Sequence, residues 1–203
     1  MTLSRLARLF AAAVAALACV SLVAQFVVDA AEHPGDSALV VIWKMARYFT
    51  ILTNAMIAAG FARVALSGRA LRPGWAGGLT LWIAITAVVY HLLLARELQG
   101  LEFWSDLGLH TIVPICALGW WAVWADRAGL GLRAALLWLI WPLLYVVYAL
   151  LRGLSDGTYP YFFVNPDTQG WAGVLGWSAG LAFGFFLGGL AVIGIARLLP
   201  RRG

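Results

Sequence analysis

The chain has 203 residues, of which 63% are hydrophobic and 11% charged, with a mean hydropathy of +0.88. A soluble domain carries about 25% charged residues, so these values exclude a water-soluble globule, and an aromatic content of 13% excludes a disordered chain. The net charge of +5 comes from Arg residues and Lys44, which sit in short gaps between apolar runs, where they set membrane topology and do not point to nucleic acid.

Two cysteines without a CxxC or a Cys/His cluster give no disulfide framework. No metal site and no cofactor is expected. The remaining class is an all-α integral membrane protein, read as one domain over 1–203.

Six apolar runs have the roughly 17–25 residues that a spanning helix needs. In chain order they cover about 6–28, 48–67, 75–95, 107–124, 132–151 and 174–197. None alternates with period 2 as a barrel strand would. Arg5 and Arg8 precede the first run as in a signal peptide, but its length favours a retained helix. With the N-terminus placed in the cytoplasm, that side holds Arg5, Arg8, Arg63, Arg69, Arg72, Arg127, Arg133, Arg197, Arg201 and Arg202. The other side holds Lys44, Arg47, Arg96 and Arg152 with eight of the nine acids. This positive-inside bias predicts a bundle of six helices with both termini cytoplasmic, in a bacterial inner (plasma) membrane.

That topology brings polar residues to one depth. Thr50 lies about one turn inside the second run, His91 inside the third, His110 inside the fourth and Tyr148 inside the fifth. Arg47, Thr50 and Asn54 are spaced i, i+3, i+7 and share a stripe. Asp106 and His110 are spaced i, i+4, so the carboxylate can reach the imidazole. Asp106 also stands at the expected start of its helix, where an acid serves as a cap. Ionisable groups within a membrane usually face the bundle interior or a cavity. A threonine hydroxyl is a weak nucleophile until a base takes its proton, and an imidazole is such a base. Asn54 or backbone amides are the candidate oxyanion donors.

After the fifth run the chain reads Arg152-Gly153, Tyr159-Pro160-Tyr161-Phe162-Phe163 and Asn165-Pro166-Asp167. Tyr159 and Tyr161 belong to a Pro-broken aromatic segment suited to an interfacial anchor or a cap over the outer mouth. Arg152 could pair with Asp156 or hold an anionic head group through its planar fork.

At Tyr48-Phe49-Thr50, His110-Thr111-x-x-Pro114 and Tyr159-Pro160-Tyr161 the chain resembles a family. It looks like a bacterial relative of the androgen-induced and androgen-dependent (AIG/ADTRP-type) integral membrane proteins, from about residue 45 to the C-terminus. The resemblance implies a multi-pass fold and a threonine hydrolase acting on fatty-acid esters of hydroxy fatty acids. It implies Thr50 as nucleophile and His110 as catalytic histidine, and it does not extend to His91, Asp106 or Arg152. The chain departs from the animal relatives at Ile51-Leu52-Thr53-Asn54, which lacks an acid and adds Thr53 as a second hydroxyl.

The leading expectation is therefore an intramembrane lipid-ester hydrolase whose partners are the bilayer and a fatty-acyl ester. Thr50, His110 and Asp106 would be catalytic, and Arg47, Asn54, His91, Tyr148, Arg152, Tyr159 and Tyr161 would contact substrate. A b-type haem electron carrier with His91 and His110 as axial ligands is the alternative. A transporter or scaffold is a third, weakened by the lack of matched Gly/Pro breaks in the two halves.

Overall fold

The computed structural model describes residues 3–200 and contains no strand among them. Its contacts form two compact units, residues 3–129 with 198–200, and residues 130–197. Six stretches are long and apolar enough to cross a membrane: Arg5–Glu32, Phe49–Ser67, Pro73–Leu94, Gly100–Trp124, Leu132–Asp156 and Pro166–Leu198. Leu6, Leu9, Val20 and Val23 are each more than half exposed on the first of them, a surface that suits hydrocarbon and not water.

In the first unit, α1 (Arg5–Glu32) starts where the Ser4 hydroxyl accepts from the Ala7 N–H at 3.2 Å. Ala7, Ala11, Val14, Ala15, Ala18 and Ser21 repeat at helical spacing and form its buried face. The helix outlasts the apolar run by about one turn because nothing breaks it before Pro34. A short helix, α2 (Ala38–Met45), comes next, capped by Ser37 and burying Val41 and Met45. It is too short to register as an apolar run.

Helix α3 (Phe49–Ser67) packs along α1, and Gly68 ends it at φ 64°, the left-handed turn that favours glycine. The Leu3 N–H donates to the Gly68 carbonyl, and Arg8 donates to the carbonyls of Ala65 and Leu66, so α1 and α3 run antiparallel. Trp120 Nε1 donates to the Ala7 carbonyl at 2.9 Å at the same end.

Helix α4 (Pro73–Val89) widens into a π turn at Tyr90–Leu94, closed by the Ala95 N–H on the Tyr90 carbonyl at 2.8 Å. Helix α5 (Gly100–Leu107) passes through a second π turn, Gly108–Ile112, into α6 (Val113–Trp124). The spanning segment thus starts near residue 100, not 107. Leu101, Phe103 and Trp104 extend it, and Gly100 supplies a backbone turn with φ 61°.

In the second unit, the expected single helix over 132–151 is α7 (Leu132–Trp138) and α8 (Ile140–Asp156), interrupted at Leu139. Pro142 explains the break: it lacks an N–H and its ring crowds the carbonyl four residues earlier. A 3₁₀ turn, Phe162–Val164, leads to α9 (Pro166–Leu198), which kinks at Gly170 with φ 64° and ψ 163°. Gly189 of α9 lies against Ala135 of α7, and a Cβ there would stand 3.3 Å from the alanine Cβ.

Candidate active site

Thr50 is the second residue of α3 and is buried. Its Oγ1 lies 3.2 Å from His110 Nε2. The other ring nitrogen, Nδ1, lies 3.0 Å from Asp106 Oδ1 and 3.2 Å from the Asp106 backbone carbonyl. Both neighbours of Nδ1 are acceptors, so Nδ1 carries the proton. The Nε2 lone pair therefore faces Thr50, and the threonine O–H donates to it. The tautomer is dictated by these surroundings.

The π turn carrying His110 has a local cause. Pro114 has no N–H to offer a carbonyl of the preceding turn. The Val113 N–H is taken by the Gly108 carbonyl, five residues back. The Leu109 carbonyl is thereby left without an amide partner from its own helix. Asn54 Nδ2 supplies the missing donor at 3.2 Å, while its second proton goes to the Thr50 carbonyl at 3.0 Å. This fully buried side chain ties the turn of Thr50 to the turn of His110. It also corrects the expectation that Asn54 holds an oxyanion, because both amide protons are committed. The first turn of α3, which has no side-chain cap, leaves the Thr50 and Ile51 N–H groups without intrahelical acceptors beside the hydroxyl.

Sequence reasoning missed Tyr90. Its ring stacks on His110 with centroids 3.7 Å apart and planes 11° from parallel, and its hydroxyl lies within electrostatic reach of the Asp106 carboxylate. Its position beside His91, at the same helix end, is the signal that could have found it. Ser105 was missed too. Its hydroxyl meets the Ser21 carbonyl at 3.2 Å and Gln25 Oε1 at 2.9 Å, and Gln25 in turn donates to Asp29, so α1 is tied to α5 beside Asp106.

The remaining candidates are placed elsewhere. His91 is exposed, and its Nε2 lies 3.1 Å from Thr111 Oγ1, not at Thr50. Tyr90 touches both imidazoles, edge-on to His91 and stacked on His110. A haem iron held by the two histidines would have to displace both threonine bonds and Tyr90. Thr53 is fully buried, and Arg47 is buried in the turn before α3. Asp106 is not a cap, since α5 begins six residues earlier and Glu102 is the acid of its first turn.

In the second unit, Arg152 Nη1 donates to the Tyr148 hydroxyl at 2.8 Å, and its guanidinium lies 5.7 Å from that ring's centroid. The Tyr159 ring lies against the Gly153 backbone, where a Cβ would come within 2.1 Å of it. Partial burial there, with the Asp167 and Asp156 carboxylates adding to it, raises the Tyr159 phenol above its ordinary range. Tyr161 stacks on Phe163 at 5.0 Å.

No family model matches the chain, and no curated protein or solved structure is similar enough to match it.

Proposed function

We propose that this chain is a multi-pass membrane hydrolase of fatty-acyl esters, with Thr50 as nucleophile, His110 as base and acid, and Asp106 as the group that holds His110. The observation that carries the reading is the row Asp106, His110, Thr50, with Nδ1 3.0 Å from Asp106 Oδ1 and Nε2 3.2 Å from Thr50 Oγ1. In the first step the Thr50 oxygen bonds to the ester carbonyl carbon while its proton moves to Nε2. The carbonyl oxygen becomes an oxyanion, for which the Thr50 and Ile51 N–H groups are the available donors. Collapse expels the alkoxide, which takes the proton from Nε2 and leaves an acyl-threonine. Water then gives a proton to Nε2 and attacks the acyl carbon. The fatty acid departs as the Thr50 oxygen regains its proton.

The resemblance at Tyr48-Phe49-Thr50 and at His110-Thr111-x-x-Pro114 supports the same two residues. The charge asymmetry supports a location near the outer face of a plasma membrane. Within the first unit the row lies at the end opposite Arg8 and Gly68.

Two experiments test this. Reporter fusions after Arg72 and Arg127 should read cytoplasm, and fusions after Glu102 and Asp156 the outside. Purified protein should hydrolyse umbelliferyl oleate, and Thr50→Ala and His110→Ala should each abolish turnover without additive losses, because nucleophile and base act as a unit. Equal turnover in wild type and Thr50→Ala would exclude Thr50 as the nucleophile, and no turnover in wild type would end the hydrolase reading.

A further inference from the structure

We infer that Tyr90 is a positioning residue for His110, and that its ring holds the imidazolium that forms during turnover. The inference rests on the hydrolase reading for its catalytic consequence, but its geometric half stands apart from it.

Three observations converge on this residue. First, the stack is almost face-on, with centroids 3.7 Å apart and planes 11° from parallel. Neutral aromatic rings prefer an offset or an edge-to-face arrangement, because like quadrupoles repel across a sandwich. The same sandwich becomes attractive when one ring is cationic. The arrangement is therefore matched to protonated His110 better than to neutral His110. An interaction that strengthens as the charge forms accelerates the step.

Second, the Tyr90 hydroxyl lies within electrostatic reach of the Asp106 carboxylate that faces Nδ1. One side chain thus covers the face of the imidazole with its ring and brings its hydroxyl toward the carboxylate. A Phe can do only the first, and a Leu neither.

Third, both stacked residues stand on π turns, Tyr90 opening Tyr90–Leu94 and His110 in the middle of Gly108–Ile112. Such turns are rare and are frequent at functional sites. Pro114 accounts for the second π turn. The first contains no proline, so the backbone around Tyr90 has no comparable local cause. Tyr90 is buried at its start while its neighbour His91 is exposed.

The test compares Tyr90→Phe and Tyr90→Leu in the full chain in detergent, with two readouts. One is turnover of umbelliferyl oleate per folded molecule. Tyr90→Leu should lower kcat by about 3- to 30-fold with KM little changed, and Tyr90→Phe should keep most of the rate. The other is the nitrogen NMR spectrum of ¹⁵N-histidine protein, in which the His110 signals are assigned by their loss in His110→Gln. Wild type should show one tautomer with Nδ1 protonated, and Tyr90→Leu should move toward averaging. If the wild-type enzyme turns over and both variants keep its kcat and its His110 signals, Tyr90 only fills space and the inference is wrong. If no protein turns over, the hydrolase reading fails by itself, and the nitrogen spectrum alone decides whether Tyr90 positions His110. A destabilised Tyr90→Leu is covered by Tyr90→Phe combined with Asp106→Asn: if the hydroxyl acts through the carboxylate, adding Tyr90→Phe to Asp106→Asn should cost nothing further.

Discussion

The side-chain amide of Asn54 donates to the carbonyl of Leu109 at 3.2 Å, and so repairs the hydrogen-bond gap that Pro114 opens in the helix carrying His110. A residue that spacing alone assigns to a reactive stripe is the tie between two turns. Asn54→Ala should leave a buried carbonyl unsatisfied and cost about 1–3 kcal/mol. Asn54→Asp should cost more, because a carboxylate would face two carbonyl oxygens. Thermal unfolding in detergent measures both. If Asn54→Ala melts like wild type, the Leu109 carbonyl finds another donor and the tie is dispensable.

Thr53 and Thr50 make a sharper pair. They lie three residues apart on α3, yet only Thr50 meets His110. Thr53 is fully buried, so an ester reaches it only by opening the core. Thr53→Val should leave turnover per folded molecule within about two-fold and act, where it acts, on stability. Thr50→Val should remove turnover while leaving the melting temperature near that of wild type, since the change conserves shape. A reversal of these outcomes moves the nucleophile to Thr53.

Asp106→Asn isolates charge from tautomer. The backbone carbonyl of Asp106, 3.2 Å from Nδ1, still offers an acceptor for a proton on that nitrogen when the side chain changes. The substitution therefore removes the negative charge that stabilises protonated His110. A hydrogen bond to a charged group contributes roughly 1.5–3 kcal/mol, so kcat should fall by about 10- to 100-fold with KM unchanged. A loss as large as that of His110→Ala would mean that the backbone carbonyl does not hold the tautomer.

How far the sequence reaches differs from residue to residue. Hydropathy is a sum over about 20 positions, so the six spans are visible in it. Helix ends are set by single residues. The start at Gly100 is hidden because Gly100–Leu107 mixes Glu102 and Asp106 with its apolar side chains and fails a hydropathy window. Pro142 inside α8 could have been read as a break, since its chemistry is local. Gly170 could not: only the fold decides that it adopts φ 64°. Counting inward from the apolar-run ends near 48 and 107 brings Thr50 level with His110, although the helix that carries His110 begins earlier, at Gly100. It brings His91 to that level too, yet depth carries no azimuth, and each π turn rotates the residues beyond it. Tyr90 escaped for a related reason. An aromatic residue among apolar ones looks like packing, and its role exists only through two partners 16 and 20 residues away, Asp106 and His110.

Gly108 gives the strictest test of how His110 is held. It opens the π turn of His110, and a Cβ added there would stand 2.0 Å from Ser21 Oγ and 2.9 Å from Ser21 Cβ, with the Ser21 Cα at 4.0 Å. Helix α1 and the turn therefore touch through a glycine. In Gly108→Ala either α1 moves outward or the turn does. If the turn moves, His110 leaves the 3.2 Å contact with Thr50. Turnover per folded molecule should fall by about 100-fold, the scale expected from misplacing a catalytic group by about 1 Å. Ser21→Ala removes Oγ but keeps the Cβ, so it should rescue little. Ser21→Gly removes both clashing atoms. It costs about 1 kcal/mol as a glycine within a helix, yet combined with Gly108→Ala it should recover turnover. The two changes should thus be non-additive, with the pair better than Gly108→Ala alone. Independent losses in the double variant would show that the close approach of α1 is not the reason for a glycine at 108, whose backbone is ordinary right-handed helix.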